Sequence, residues 1–169
     1  MELLIDKVNP ERKEILKNLM TLHLHDLSEF IDNISLNSNN GLFEFDVLDW
    51  FFEKEGLTPF FINLNGEPVG FILLQSGPYS NQEYADYVLN SFFIIKNQRR
   101  KGIGKSACNK FFEMYPGRYA IGQAQTNIPA VKFWRNVYES FGVNPYEKEE
   151  IEDGIKMVYQ YFKTHSSLS

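Results

Sequence analysis

The chain reads as an α/β protein, a mixed sheet flanked by helices, and three observations lead there. Apolar runs of strand length recur along its 169 residues, segments with helical spacing separate several of them, and Asn65-Gly66 joins two runs in a strong hairpin signal. The resulting order, β-α-α-β-β-β-α-β-α-β-β, puts helices on both faces of one sheet. Hydrophobic residues make up 43% and aromatic residues 15%, enough for a substantial core in one domain spanning residues 1–169.

Leu3 to Val8 is a short strand. Asn9-Pro10-Glu11 then supplies a cap, a first-turn proline and a dipole-compatible acid for a helix through about Phe30, with Leu16, Leu19, Met20, His23, Leu24 and Leu27 on its apolar face. The Asn- and Ser-rich stretch from Asp32 to Asn40 ends at Gly41 and marks a loop, before a second helix around Phe45 to Glu55. Pro59 to Asn65 and Pro68 to Gln75 form the hairpin, and Ser76 to Glu83 is loop. Tyr87 to Ile95 is a strand, Ile103 to Tyr115 a helix, Arg118 to Thr126 a strand, and Pro129 to Phe141 a helix entered through Asn127. Tyr146 to Ile151 is a weaker partner for a last strand, Lys156 to Phe162, and the polar tail from Lys163 to Ser169 is expected to fray.

The chemistry concentrates in Gln98-Arg99-Arg100-Lys101-Gly102-Ile103-Gly104-Lys105, between an apolar strand and a helix. Two glycines let the backbone turn tightly and gather successive N–H groups, and the helix adds unpaired amides and the positive end of its dipole. Arg99, Arg100, Lys101 and Lys105 concentrate positive charge in a chain of net charge -5, which favours a polyanionic ligand such as a diphosphate.

Other readings are set aside on the residues themselves. Gly102-Ile103-Gly104-Lys105-Ser106 contains the Gly-Lys-Ser of a nucleoside triphosphate loop, but the first glycine of that motif falls at Arg99. A net negative charge argues against nucleic acid as a partner. The single cysteine, Cys108, excludes an intrachain disulfide and a cysteine-clustered zinc site, and reads as a packed thiol. His23 and His25, two residues apart, point to different helix faces and do not suit a shared metal, so no metal is expected. The opening Met1-Glu2-Leu3-Leu4-Ile5-Asp6 lacks the pattern of a signal peptide and no run approaches membrane-spanning length, so a cytoplasmic protein with no membrane partner is expected.

The loop, together with Asn127-Ile128-Pro129-Ala130-Val131-Lys132-Phe133-Trp134, resembles the GNAT-type N-acetyltransferase superfamily. Arg99-Arg100-Lys101-Gly102-Ile103-Gly104 matches that family's Arg/Gln-x-x-Gly-x-Gly/Ala pattern position by position. Asn127 and Ala130 match the asparagine and small residue that open its next helix. The resemblance implies a GNAT-like acyl-CoA N-acyltransferase fold, with acetyl-CoA as cosubstrate held at Phe93, Ile94, Arg99, Arg100, Lys101, Gly102, Ile103, Gly104, Lys105, Asn127 and Trp134. It also implies a bulge in Phe92-Phe93-Ile94-Ile95 that frees a backbone N–H, from Phe93 or Ile94, to polarise the thioester carbonyl. A donor so aimed is worth on the order of 3 kcal/mol of barrier.

The catalytic residues are less well matched. The family's thiolate-protonating tyrosine falls at Trp134, which cannot act as an acid, and Tyr138 lies one helical turn further on; either Tyr138 or water supplies the proton. An amine with a pKa of about 10.4 is almost wholly protonated at pH 7, so a proton acceptor is needed. Asp86, Glu83 and Glu44 are available, and none is singled out. Asp26, Glu29, Asp32, Glu44, Asp46, Asp49, Glu53 and Glu55 face only Lys54 within their stretch, which suits a cationic acceptor and equally a solvated acidic surface. The expected activity is acetyl transfer to a primary amine of a small molecule or peptide by direct attack in a ternary complex, in a monomer or homodimer. A noncatalytic acyl-CoA-binding module and a ligand-free interaction domain are the alternatives.

Overall fold

A computed structural model describes residues 1–165. Its strands are β1 (Leu3–Lys7), β2 (Leu57–Leu64), β3 (Glu67–Ser76), β4 (Tyr87–Ile94), β5 (Arg118–Ala124), β6 (Tyr146–Glu152) and β7 (Ile155–Lys163). Its helices are α1 (Lys13–Leu27), α2 (Trp50–Glu53), α3 (Ile103–Met114) and α4 (Ile128–Phe141). The strands form one mixed sheet in the order β1-β2-β3-β4-β5-β7-β6, in which only β4 and β5 pair in parallel.

Strand alternation sorts the core into two layers. Phe60, Ile62, Ile72, Leu74, Leu89, Ile94 and Ile121 meet Ile103, Ala107, Phe111 and Phe112 of α3 and Trp134 and Val137 of α4. Phe61, Phe71, Leu73 and Phe93 meet Leu16 and Met20 of α1, Phe51 of α2 and Leu48 just before it on the other face. The expected hairpin turns at Asn65-Gly66, both at positive φ.

Three segments differ from expectation. Pro10–Arg12 is a separate 3₁₀ turn, so α1 starts at Lys13, and it ends at Leu27, with looser turns running on to Ile31. The helix expected over Phe45 to Glu55 is one α-turn preceded by three-residue turns, in which Leu48 N–H donates to Phe45 and Phe51 N–H to Leu48. The apolar positions there, Phe45, Leu48 and Phe51, are spaced by three, which suits a 3₁₀ run better than an α-helix. Lys163 and Thr164 are not frayed: Lys163 closes β7, and Thr164 is buried, exchanging backbone and hydroxyl bonds with Gly117. Residues 166–169 of the expected tail lie outside the described residues.

Candidate active site

β4 and β5 pair only at Tyr87 with Tyr119, Val88 with Ala120 and Leu89 with Ile121, and then diverge. The cause lies in β4. Leu73 of β3 pairs with Ser91 while Leu74 pairs with Leu89, so Asn90 is an extra, bulged residue that turns the strand away from its parallel neighbour. The bulge therefore sits at Asn90, not within Phe92–Ile95 as expected. Its side chain is held outside the ladder, with Asn90 Nδ2 donating to Gln75 Oε1 at 2.7 Å and Ser91 Oγ donating to Asn90 Oδ1 at 2.7 Å. The bulge also resets the faces, which is why Leu89, Phe92 and Ile94 all pack towards α3 and α4.

Beyond the bulge one edge of β4 faces the gap. Ile95 N–H donates to Val69 O at 2.9 Å, and the register continues regularly through Phe93 opposite Phe71 to Ser91 opposite Leu73. In such a ladder alternate residues turn their backbone groups to the partner. The N–H groups of Phe92 and Ile94 therefore face the split, and that of Phe93, the other expected donor, is turned to β3.

The split opens into a cleft of about 1080 Å³ that passes through the sheet, walled by α1 on one face and by the starts of α3 and α4 on the other. At the mouth near α3 the chain turns through Arg100 (φ 61°) and Gly102 (φ 80°), two left-handed positions, the second of which glycine occupies without strain. Ser106 N–H reaches Gly102 O, leaving the amides of Ile103, Gly104 and Lys105 without a partner inside the helix. Gly104 packs closely: a Cβ there would lie 3.1 Å from the ring of Phe133, which would have to shift to admit it. Phe133 stacks on Phe92 (centroids 5.5 Å apart), and Trp134 meets Phe92 edge-on at 5.4 Å, so one aromatic group ties α4 to the unpaired part of β4. Asn127 caps α4, its Oδ1 accepting from Ala130 N–H at 3.2 Å, and borders the cleft.

Of the loop residues expected to bind an anion, Arg100, Gly102, Gly104 and Lys105 line the cleft, with Lys132 of α4 beside them. Lys101 and Ile103 do not: Lys101 Nζ reaches back to Gln98 Oε1, and the Ile103 side chain is buried in the core, leaving only its amide to face a ligand. Arg99 lines the cleft but is bound at both ends, Nε donating to Ile94 O at 2.7 Å and Nη2 to Asp26 Oδ2 of α1 at 2.6 Å.

Tyr138 is a correction. Its hydroxyl donates to Gln160 Oε1 at 2.7 Å inside the core, its ring lies between Trp134 and Phe162, and it is absent from the cleft wall. The extra helical turn after Trp134 carries it beneath the sheet, and burial raises its pKa far above the ordinary phenol value. Of the acids considered as bases, none lines the cleft: Glu83 is exposed, and the other two are engaged elsewhere. Asp86 pairs with Arg118, whose hydrogen bonds hold its pKa low, and Glu44 accepts from Asn37 and Asn40. Cys108 is buried, which pushes its thiol pKa up, as a packed thiol should behave.

The fold brings to the cleft Asp26 of α1 and Glu29 just beyond it, two of the acids that suit a cationic acceptor, and with them groups to which the sequence assigns no site role: His23 from α1, Gln123 from β5, and the rings of Phe92 and Phe133. His23 had a visible signal, a titratable residue on the apolar stripe of α1, and Gln123 another, an amide within a buried strand. No group of three or more potential metal ligands occurs among the described residues.

The acetyltransferase (GNAT) family model matches residues 23–138, more than half of the chain. The chain belongs to the GNAT acetyltransferase family. The match runs from His23 on α1 to Tyr138 on α4 and so encloses the bulge, the split and the glycine turn. No curated protein matches the sequence. Among solved structures, the GNAT fold of this chain is similar to an acetyltransferase from Thermus thermophilus, at 18% identity and a TM-score of 0.69 over 95% of this chain and 96% of that one. It is also similar to aminoglycoside acetyltransferase AAC(6')-Ib in complex with coenzyme A, at 16% identity and 0.66 over 96% and 95%. The ribosomal-protein-S18-alanine N-acetyltransferase from Escherichia coli aligns at 13% identity and 0.59 over 98% and 97%. No helix among the described residues is long and apolar enough to cross a membrane.

Proposed function

We propose that this GNAT protein transfers an acetyl group from acetyl-coenzyme A to a primary amine by direct attack within a ternary complex. The observation that carries the reading is the split beside Phe92 and Ile94, which opens straight onto the free amides at the start of α3. The solved neighbour bound to coenzyme A supports the choice of cosubstrate.

The residues fit a diphosphate on chemical grounds. Amides of residues 103–105 converge at a helix N-terminus, Arg100, Lys105 and Lys132 add cations, and the Cβ-free Gly104 keeps Phe133 close. When bound, the cosubstrate supplies an activated acyl carbon. Ile94 and Phe92 then direct N–H groups into the split, where either can hydrogen-bond the carbonyl oxygen as charge gathers on it. Phe92, Phe133 and Trp134 exclude water from one side and hold the pantetheine arm against the strand edge. With Tyr138 sealed in the core, water protonates the departing thiolate.

The diphosphate mouth lies on the α3 and α4 side, so the acceptor enters from the α1 side, where Asp26 and Glu29 border the cleft. Arg99 and Lys96 neutralise Asp26, which leaves Glu29 to attract a cationic amine. Small-molecule and peptide amines both suit this mouth; the aminoglycoside and ribosomal-protein acetyltransferases with this fold span that range. The test is release of free coenzyme A on mixing the protein with acetyl-coenzyme A and a panel of polyamines, aminoglycosides and peptides. Turnover supports the enzyme, and tight binding without turnover across the panel points to a noncatalytic module.

A further inference from the structure

We infer that His23 is the catalytic proton acceptor, taking the proton from the acceptor amine at the α1 wall of the split. The inference rests on the acetyl-transfer reading and adds the group that reading leaves unassigned. His23 lines the cleft, and its ring packs on Phe93 (centroids 5.4 Å) and edge-on to Phe71 (5.6 Å). Phe93 is the residue between Phe92 and Ile94, whose amides face the split. The imidazole therefore stands on the acceptor side of the sheet, packed on the residue that separates the two backbone donors. Its ring makes aromatic contacts and no hydrogen bond to another described residue, so its nitrogens are left for a ligand or water.

Competing bases are fewer than the acidity of this region suggests. Asp26, one turn on, is bound to Arg99 and lies 3.7 Å from Lys96. Glu29 is exposed at the rim. The charged groups around His23 are Asp26 on its own helix and Arg99 from the turn after β4, whose guanidinium lies over the same Phe93 ring at 5.4 Å. Burial lowers the pKa of His23 to about 4, Asp26 opposing and Arg99 assisting, so the ring is neutral in the form that accepts a proton. An anion that draws on the charge of Arg99 makes the imidazolium easier to form, which ties proton acceptance to occupancy of the diphosphate site.

The step balances without a further reactant. The amine attacks as the free base, its ammonium proton having passed to solvent; its nitrogen bonds to the acyl carbon, the further proton lost in forming the amide passes to His23, the carbon–sulfur bond breaks with its electron pair on sulfur, and water protonates the thiolate. His23 then returns its proton to solvent.

The experiment measures thiol release and coenzyme A binding for the wild type, His23→Gln, His23→Ala, Glu29→Gln and, as a control outside the cleft, His25→Gln. His23→Gln is expected to lose about a hundredfold or more in kcat while binding coenzyme A within about twofold of the wild type. Imidazole added to His23→Ala is expected to restore part of the rate, which a packing role would not do, and His25→Gln should match the wild type. A His23→Gln rate within about threefold of the wild type, or a hundredfold loss in Glu29→Gln with His23→Gln active, overturns the inference and leaves acetyl transfer standing. Coenzyme A binding with no turnover in the wild type removes both.

Discussion

Arg99 joins the glycine turn after β4 to the first helix. Its Nη2 lies 2.6 Å from Asp26 Oδ2, while its Nε holds the carbonyl of Ile94, whose own N–H faces the split. One side chain thus fixes the strand edge, the glycine turn and the α1 wall of the cleft relative to each other, and Thr126 Oγ1 anchors the far end of the same wall by donating to Phe30 O. Removing either partner of the pair should have opposite effects on cofactor affinity. Arg99→Met removes a cation from the diphosphate site and is expected to weaken coenzyme A binding by roughly tenfold. Asp26→Asn removes an anion that competes for Arg99 and is expected to strengthen it by about two- to threefold. The pair is partly exposed, so each change should cost only about 1 kcal/mol of stability. Calorimetric titration with coenzyme A reads both signs.

Gly104 should tolerate little growth. Its φ is ordinary, so conformation does not require glycine; the constraint is the ring of Phe133, 3.1 Å from where a Cβ would sit, which a branched side chain would have to displace. Gly104→Val forces that ring off its stack with Phe92 and is expected to destabilise the protein by about 1–3 kcal/mol and to abolish measurable coenzyme A binding. Thermal melting with and without coenzyme A separates the two effects.

Acid should weaken the fold through His23. Its pKa falls from about 6.5 in the unfolded chain to about 4 in the folded one, chiefly by burial. Between these values the unfolded state binds more protons, so stability is whole above pH 6.5 and declines as the pH drops towards 4. The loss is on the order of 3 kcal/mol at most. Asp86, whose pKa is lowered by Arg118, adds a separate loss at more acidic pH. Denaturation of His23→Phe across the same range should show a flatter dependence than the wild type, and an unchanged slope would contradict the assignment.

Much of this fold was legible because local signals agreed with it. Asn65-Gly66 turned as a hairpin, Asn9 and Asn127 accepted their helix N–H groups, and the glycine turn followed its strand. The bulge was placed wrongly because nothing in Val88-Leu89-Asn90-Ser91-Phe92 marks the extra residue without knowledge of β3. Only the pairing of Leu73 and Leu74 across the ladder locates it at Asn90. The sequence shows Arg99 as a cation of the loop but hides its ion pair, because Asp26 lies 73 residues away. Tyr138 is hidden for a similar reason: helical spacing gives its face, but the depth of the cleft along α4 depends on where Phe92 and Trp134 meet.

That depth makes Tyr138→Phe decisive for the proton on the leaving thiolate. Gln160 Oε1 accepts from both Tyr138 Oη at 2.7 Å and Gln123 Nε2 at 2.8 Å, and Gln160 Nε2 donates in return to Gln123 Oε1 at 3.0 Å. Removing the hydroxyl leaves the paired amides intact, so the cost should be about 1 kcal/mol, seen as a modest drop in melting temperature. Thiol release should fall by less than about twofold, since a group sealed behind Gln160 has no path to the sulfur. Gln160→Leu differs, because it strands the amide of Gln123 in a buried strand, at a cost of about 1–3 kcal/mol. A large rate loss in Tyr138→Phe with its stability preserved would restore the tyrosine as proton donor and require the cleft to reach a turn deeper along α4.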